Sequence, residues 1–200
     1  MSVLVGKSAP DFTAAAVMGN NEINEAFNLA SYIKGKAAVI FFYPLDFTFV
    51  CPSELIAFDH RLAEFKNRGV EVIGISIDSH FSHLAWKNTA INNGGIGQVG
   101  YPLVSDIKHE ICKAYDVEAE VGVAYRGSFL INKAGVVVHQ VVNDLPLGRD
   151  IDEMLRMVDA LQFFEQHGEV CPAGWKKGKA GMNASTEGVA KYLAENAKDL

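Results

Sequence analysis

The longest apolar run in the chain is residues 37–43, where Val39, Ile40, Phe41, Phe42 and Tyr43 follow two alanines and Pro44 ends the run. It is β-branched and aromatic, which predicts a buried strand. Residues 52–68 change period: Leu55, Phe58, Leu62 and Phe65 fall on one face of a predicted helix, and Gly69 supplies the stop. Residues 70–77 form a second, nearly continuous apolar run, as expected of a strand covered on both faces. A helix over 82–92 ends at Asn93, Gly94 and Gly95, and a short strand (101–105) and a short helix (110–115) follow. Residues 128–131 and 136–142 flank a turn at 132–135 and read as a hairpin. The last core helix spans 150–166, with Ile151, Met154, Leu155, Val158 and Leu161 as its apolar stripe.

Strands alternating with helices indicate an α/β layered fold, and the closing hairpin makes the sheet mixed. Residues 136–142 are open to two readings, an inner strand or an edge paired with a second subunit, since long apolar edges rarely stay uncovered. After His167 the composition shifts to Gly, Lys, Ala and Asn. Residues 168–185 read as an extended arm, and Val189, Tyr192 and Leu193 suggest a short terminal helix. The expected division is therefore a domain over 1–167 and a C-terminal arm over 168–200. No internal repeat is visible.

The 200 residues are 49% apolar and 21% charged, the composition of a globular domain large enough to fold without staples. A net charge of -6 argues against a nucleic-acid partner, and Lys176, Lys177 and Lys179 read as a solvated tail. The start lacks a basic, then apolar, export signal, and no segment approaches a membrane span. The expectation is a cytoplasmic protein with no membrane partner. Three cysteines, Cys51, Cys112 and Cys171, make a poor disulfide framework, and the absence of Cys-x-x-Cys gives a structural zinc site little support. Cys112, beside Ile111, Ala114 and Tyr115, reads as core. His80 and His83 open a helix but lack a third metal ligand.

Cys51 lies where the first strand has ended and a helix begins, with Pro52 suited to a first helical position. Helix N-termini favour anions, and the thiolate is the reactive form of cysteine. An ordinary free thiol is only a few per cent ionised at neutral pH. Making one mostly thiolate takes roughly 2.7 kcal/mol. A helix end supplies about 0.3–1 kcal/mol when exposed and up to about 2 when favourably buried, so a nearby cation is needed. Arginine stays charged, and Arg126, just before the hairpin strand, has a route to the same end of the sheet.

Pro44, Thr48 and Cys51, spaced as Pro-x-x-x-Thr-x-x-Cys, resemble the active-site motif of the peroxiredoxins. The resemblance begins at Ala9, Pro10, Asp11 and Phe12. It continues through Glu54, Arg126, Gly127, Gly148 and Arg149, and reaches Cys171, Pro172 and Trp175. It covers almost the whole chain and points to the typical two-cysteine group, which includes the peroxidase component of bacterial alkyl hydroperoxide reductase. It implies a thioredoxin-like fold, with a mixed central sheet flanked by helices and an extended C-terminal arm. It also implies that Cys51 is the peroxidatic cysteine, that Thr48 hydrogen-bonds thiolate and peroxide, and that Pro44 shields the site from water. Arg126 would hold the thiolate and polarise the peroxide, with Glu54 and Arg149 orienting it, and Cys171 would be the resolving cysteine.

The implied activity is a thiol-dependent peroxidase acting on hydrogen peroxide and small alkyl hydroperoxides, without cofactor, metal or haem. The sulfenic acid formed condenses with another thiol. The resemblance assigns that thiol to Cys171 of a partner subunit in an antiparallel dimer, assembled to a decamer. The implied reductant is thioredoxin or a flavoprotein disulfide reductase. Two other readings compete. A thioredoxin-like disulfide oxidoreductase would use Cys-x-x-Cys, but Glu54 occupies the second cysteine position. A holdase chaperone, formed on hyperoxidation, has no local sequence mark. Asn93, Gly94, Gly95, Ile96 and Gly97 resemble the Gly-Gly-Leu-Gly loop of peroxide-sensitive members, whereas Tyr192 and Leu193 replace their Tyr-Phe pair, which predicts intermediate sensitivity.

Overall fold

The computed structural model describes residues 3–199. The chain divides into two compact units at Ile151/Asp152. The first holds β1 (Thr13–Val17), β2 (Ile23–Asn28), α1 (Leu29–Tyr32), β3 (Ala37–Phe42), α2 (Cys51–His60), α3 (Leu62–Asn67) and β4 (Val70–Ser76). It continues with α4 (His80–Lys87), β5 (Leu103–Ser105), α5 (Glu110–Ala114), β6 (Arg126–Ile131) and β7 (Val137–Asn143). Helix α6 (Ile151–His167) opens at the boundary, and α7 (Thr186–Asn196) belongs to the second unit.

The strands form one mixed sheet in the order β2-β1-β5-β4-β3-β6-β7. β3 pairs in parallel with β4, and β4 with β5. β6 runs antiparallel to β3 on its other side. The unbroken apolar run forms β3, buried at every position, as is most of β4. Each side chain such as Ile40 or Phe41 buried there contributes about 1.5–3 kcal/mol, and truncating Ile40 to alanine is expected to cost about 2–5 kcal/mol. The hairpin closes through Asn132, whose N–H donates to the Val136 carbonyl at 2.9 Å, with Gly135 at φ +79° where a side chain would be strained. β7 is an edge of the sheet in the single chain.

The structure differs from the expectation in three places. The hairpin β1–β2 and the short α1 have no counterpart in the apolar pattern, because β2 exposes its first four residues and alternation is lost. The helix expected over 52–68 is two helices, broken at Arg61, whose φ of -104° and ψ of 3° are not helical. The helix expected over 82–92 starts earlier, because the Ser79 hydroxyl accepts from the Ser82 N–H and caps its start, and it ends at Lys87 with Asn88 as its C-cap. Among the described residues no helix is long and apolar enough to cross a membrane.

Candidate active site

β3 delivers the chain to the start of α2 through the connection over 43–50, which carries Pro44 and Thr48. Helix α2 begins at Cys51 itself, with Val50 as its cap residue and no side-chain cap, and Pro52 follows in the first turn. The Cys51 side chain is fully buried, 0% exposed.

Arg126 opens β6, which is paired antiparallel with β3, so its side chain lies at the end of the sheet where α2 starts. Its Nη1 lies 3.4 Å from Cys51 Sγ and 2.6 Å from Glu54 Oε2, while its Nε donates to the Leu145 carbonyl at 2.7 Å. Glu54, in the first turn of α2, is in turn gripped by Arg149. Arg149 Nε donates to Oε1 at 2.8 Å and Nη2 to Oε2 at 2.9 Å, and the Arg149 backbone N–H adds a bond to Oε1 at 3.0 Å. The remaining Arg149 nitrogen, Nη1, donates to the carbonyls of Phe42 at 2.7 Å and Gly127 at 3.0 Å. All three side chains of this cluster are sealed from solvent. Two guanidinium groups and one carboxylate leave the buried cluster with a net charge of +1 beside the sulfur.

Arg149 just precedes a helix N-terminus, where a cation opposes the dipole; its bidentate hold on Glu54 offsets that repulsion. Pro44 is buried directly after β3. Thr48 donates its hydroxyl to the Leu45 carbonyl at 2.8 Å. With its proton so directed, Thr48 has lone pairs free to accept from an incoming donor. Phe47 sits at φ +53°, a left-handed backbone for a bulky residue, with its ring 5.7 Å from that of Trp86.

Asp46, which the sequence pattern does not single out, fixes this connection. Its carboxylate accepts from the Tyr43 hydroxyl at 2.9 Å and the Ser82 hydroxyl at 2.8 Å and lies 2.8 Å from His83 Nδ1. Its backbone N–H donates to Asp78 at 2.9 Å. Burial, and then the Asp46 charge, push the Tyr43 phenol well above its ordinary range, so it remains a donor. His83 Nε2 faces the Val104 carbonyl at 3.2 Å. Both ring nitrogens of His83 are therefore engaged, and His80 instead lies 3.7 Å from Glu25. Among the described residues no three potential ligands cluster to hold a metal ion. The signal in the sequence for Asp46 is that it is the one charged residue in the connection over 43–50.

The other cysteines contrast with Cys51. Cys112 is fully buried, and burial, followed by the neighbouring Asp106, pushes its thiol far up. Cys171 lies in the second unit, partly buried, with its thiol 3.5 Å from the Ala160 carbonyl of α6.

Residues 5–140 match the AhpC/TSA family, and residues 160–195 match the C-terminal domain of 1-Cys peroxiredoxin. The alkyl hydroperoxide reductase C of Helicobacter pylori is 58% identical over 198 residues, 99% of this chain and 100% of that protein. Peroxiredoxin-1 of Gallus gallus is 50% identical over 192 residues, 96% of each chain. The crystal structure of reduced 2-Cys peroxiredoxin from Plasmodium vivax matches with a TM-score of 0.93 at 49% identity, covering 96% of this chain and 100% of that one. A thioredoxin-like sheet carrying a buried cysteine under an arginine, matched in sequence and shape over nearly its full length, assigns the chain to the AhpC/TSA family: it is a two-cysteine peroxiredoxin, a thiol-dependent peroxidase.

Proposed function

We propose that Cys51 is the peroxide-attacking residue, that Arg126 sustains its thiolate, and that Cys171 of a partner subunit resolves the product. The observation that carries this reading is the Arg126 guanidinium 3.4 Å from the sulfur, in a sealed cluster of net charge +1. An anionic sulfur brings that cluster to neutrality, and uncompensated buried charge is costly. Attack by the thiolate on one peroxide oxygen forms an S–O bond and breaks the O–O bond. The electron pair departs on the other oxygen as hydroxide or alkoxide, which takes a proton. The Arg126 guanidinium is a fixed donor toward that developing charge. Thr48 accepts from the peroxide O–H, Pro44 keeps bulk water from the sulfur, and Glu54 and Arg149 hold Arg126 in place.

Cys51 is left as a sulfenic acid, which condenses with the Cys171 thiol to give a disulfide and water. A thiol cannot come within bonding distance, about 2.0 Å, of a sulfur with no exposed surface unless the start of α2 opens. The substrates are hydrogen peroxide and small alkyl hydroperoxides, and the reductant is thioredoxin or a flavoprotein disulfide reductase. The working form is a homodimer assembled to a decamer. The compartment is the cytoplasm, where thiols stay reduced, in keeping with an odd count of three cysteines. Residues 1–167 form the peroxidase domain and 168–200 the arm that carries the resolving thiol.

The test is thiol-dependent peroxide consumption by wild type, Cys51→Ser and Cys171→Ser, followed by non-reducing electrophoresis. Consumption should vanish in Cys51→Ser, and the covalent dimer should vanish in both variants. Peroxide loss that survives Cys51→Ser overturns the assignment.

A further inference from the structure

The second unit holds Cys171 in a defined pose. Val170 and Met182 exchange two backbone hydrogen bonds, at 2.9 and 3.0 Å, which closes residues 171–181 into a loop with Cys171 at its neck. Trp175 anchors that loop. Its ring lies 4.7 Å from that of Phe163 of α6, its indole N–H donates to the Lys179 carbonyl at 3.0 Å, and its side chain is buried. Arg156 of α6 joins the loop to the helix, because its Nη1 donates to the Trp175 carbonyl at 2.8 Å. The other edge of the guanidinium is held in a fork by Glu153 at 2.6 and 2.7 Å. One helical turn beyond Arg156, the Ala160 carbonyl accepts from the Cys171 thiol at 3.5 Å. Both ends of the 171–175 turn are thus fastened to one face of α6.

This pose does not favour reaction. Attack on a sulfenic acid needs a thiolate whose sulfur is free to come within bonding distance. Here the proton points at a carbonyl, which favours the neutral thiol. Burial also pushes the Cys171 thiol up, and the Arg156 charge offsets this only in part.

We propose that Arg156, oriented by Glu153, is a positioning residue for the resolving step: it latches the 171–175 turn to α6 and sets how often Cys171 is released to attack the Cys51 sulfenic acid. The proposal rests on Cys171 being the resolving cysteine. In the step that release permits, the Cys171 sulfur bonds to the Cys51 sulfur and the S–O bond breaks. Hydroxide leaves and, with the thiol proton, becomes water. Release precedes attack, so a weaker latch speeds the step.

The experiment uses the full chain as wild type, Arg156→Met and Arg156→Lys, with two readouts. Stopped-flow separates the peroxide phase from the disulfide phase, and iodoacetamide labelling with peptide mapping gives the alkylation rate of Cys171. Methionine keeps the stem but removes every donor, and lysine restores one charged donor. Compared at equal thiolate fraction, taken from each variant's pH profile because the Arg156 charge also favours the thiolate, Arg156→Met should accelerate both the disulfide phase and Cys171 alkylation about fivefold, the scale of one partly solvated charge-assisted hydrogen bond. Arg156→Lys should fall between it and wild type, and the peroxide phase is the internal reference. Glu153→Gln, which loosens the guanidinium without deleting it, should move both rates the same way by a smaller factor. A disulfide phase and an alkylation rate that are unchanged or slower in Arg156→Met and Glu153→Gln overturn the latch. An intersubunit disulfide that still forms in Cys171→Ser overturns instead the reading beneath it.

Discussion

Replacing Arg126 by methionine tests the electrostatic core of the site. The wild-type cluster holds two buried guanidinium groups and one buried carboxylate, and an anionic sulfur completes it to zero. In Arg126→Met the Glu54 carboxylate keeps both of its bonds to the Arg149 guanidinium, at 2.8 and 2.9 Å, so the pair that remains is neutral. The fold therefore loses one hydrogen-bonded partner without leaving a bare buried charge, a cost of about 1–2 kcal/mol. The sulfur fares differently, because a thiolate would now be the uncompensated charge. Its charge-assisted contact is worth about 1.5–3 kcal/mol, and removing one fixed donor aimed at a developing oxyanion costs about 2.7–4 kcal/mol, or 10²–10³ in rate. The two overlap and do not add, so the expected loss is about 10²–10³ in the second-order reaction with hydrogen peroxide. Tryptophan emission in stopped-flow can follow it, since the Trp86 ring lies 5.7 Å from Phe47 and 6.1 Å from Tyr43 on the connection to Cys51. Arg126→Lys keeps the charge but not the fork that spans Cys51, Glu54 and Leu145, and should lose roughly tenfold. An Arg126→Met protein that reacts within tenfold of wild type would refute the reasoning.

Glu54→Gln leaves two buried arginines facing one another and should lower stability by about 3 kcal/mol in urea unfolding; a change under 1 kcal/mol would show the cluster to be more hydrated than its burial suggests. Lys87 is 1% exposed, with its ammonium donating to the Met18 carbonyl at 2.7 Å, and burial lowers its pKa from 10.5 to about 8. Between those two values the unfolded chain holds a proton that the folded chain has released, so this contribution to stability rises with pH. Compared with Lys87→Met, wild type should gain roughly 2 kcal/mol between pH 7 and pH 10, allowing for solvent screening, and parallel denaturation midpoints for the two proteins would contradict it. Cys112, fully buried with its thiol pushed up, should resist alkylation at pH 8 while Cys171 is labelled, as read by peptide mapping; modification of Cys112 at the rate of Cys171 would show that α5 opens readily.

The parts of the site legible in the sequence are those with a local signature. Cys51 announces itself because Pro52 marks a helix start, and Arg149 because a cation just before a helix N-terminus needs a partner, which the structure supplies in Glu54. The strand β3 is legible because burial on both faces leaves no polar residue to interrupt it, and β4 because Glu71 is the one charged residue in its otherwise nearly continuous apolar run. The Asp46 network is not legible, since His83 and Val104 are brought to it only by the stacking of α4 and β5 near the end of β3. The partners of His83 are not legible either, since its two ring nitrogens meet Asp46 and Val104, which lie far from it in sequence. β2 is hidden for the opposite reason, because an exposed edge strand carries no apolar signal. The break at Arg61 escapes the pattern because Leu55, Phe58, Leu62 and Phe65 keep one buried face across it.

The sealing of Arg126, Glu54 and Arg149 has a consequence for the medium in which the enzyme works. Mobile ions screen charges that lie in water, over about 8 Å at physiological ionic strength, and screen charges enclosed by protein far less. An exposed pair such as Lys36 and Glu71 fades as salt is added. The field at the Cys51 sulfur comes from groups that salt cannot approach. Its reactivity toward an uncharged peroxide should therefore hold steady from dilute buffer to strong brine, which makes the chemistry at the sulfur indifferent to ionic strength.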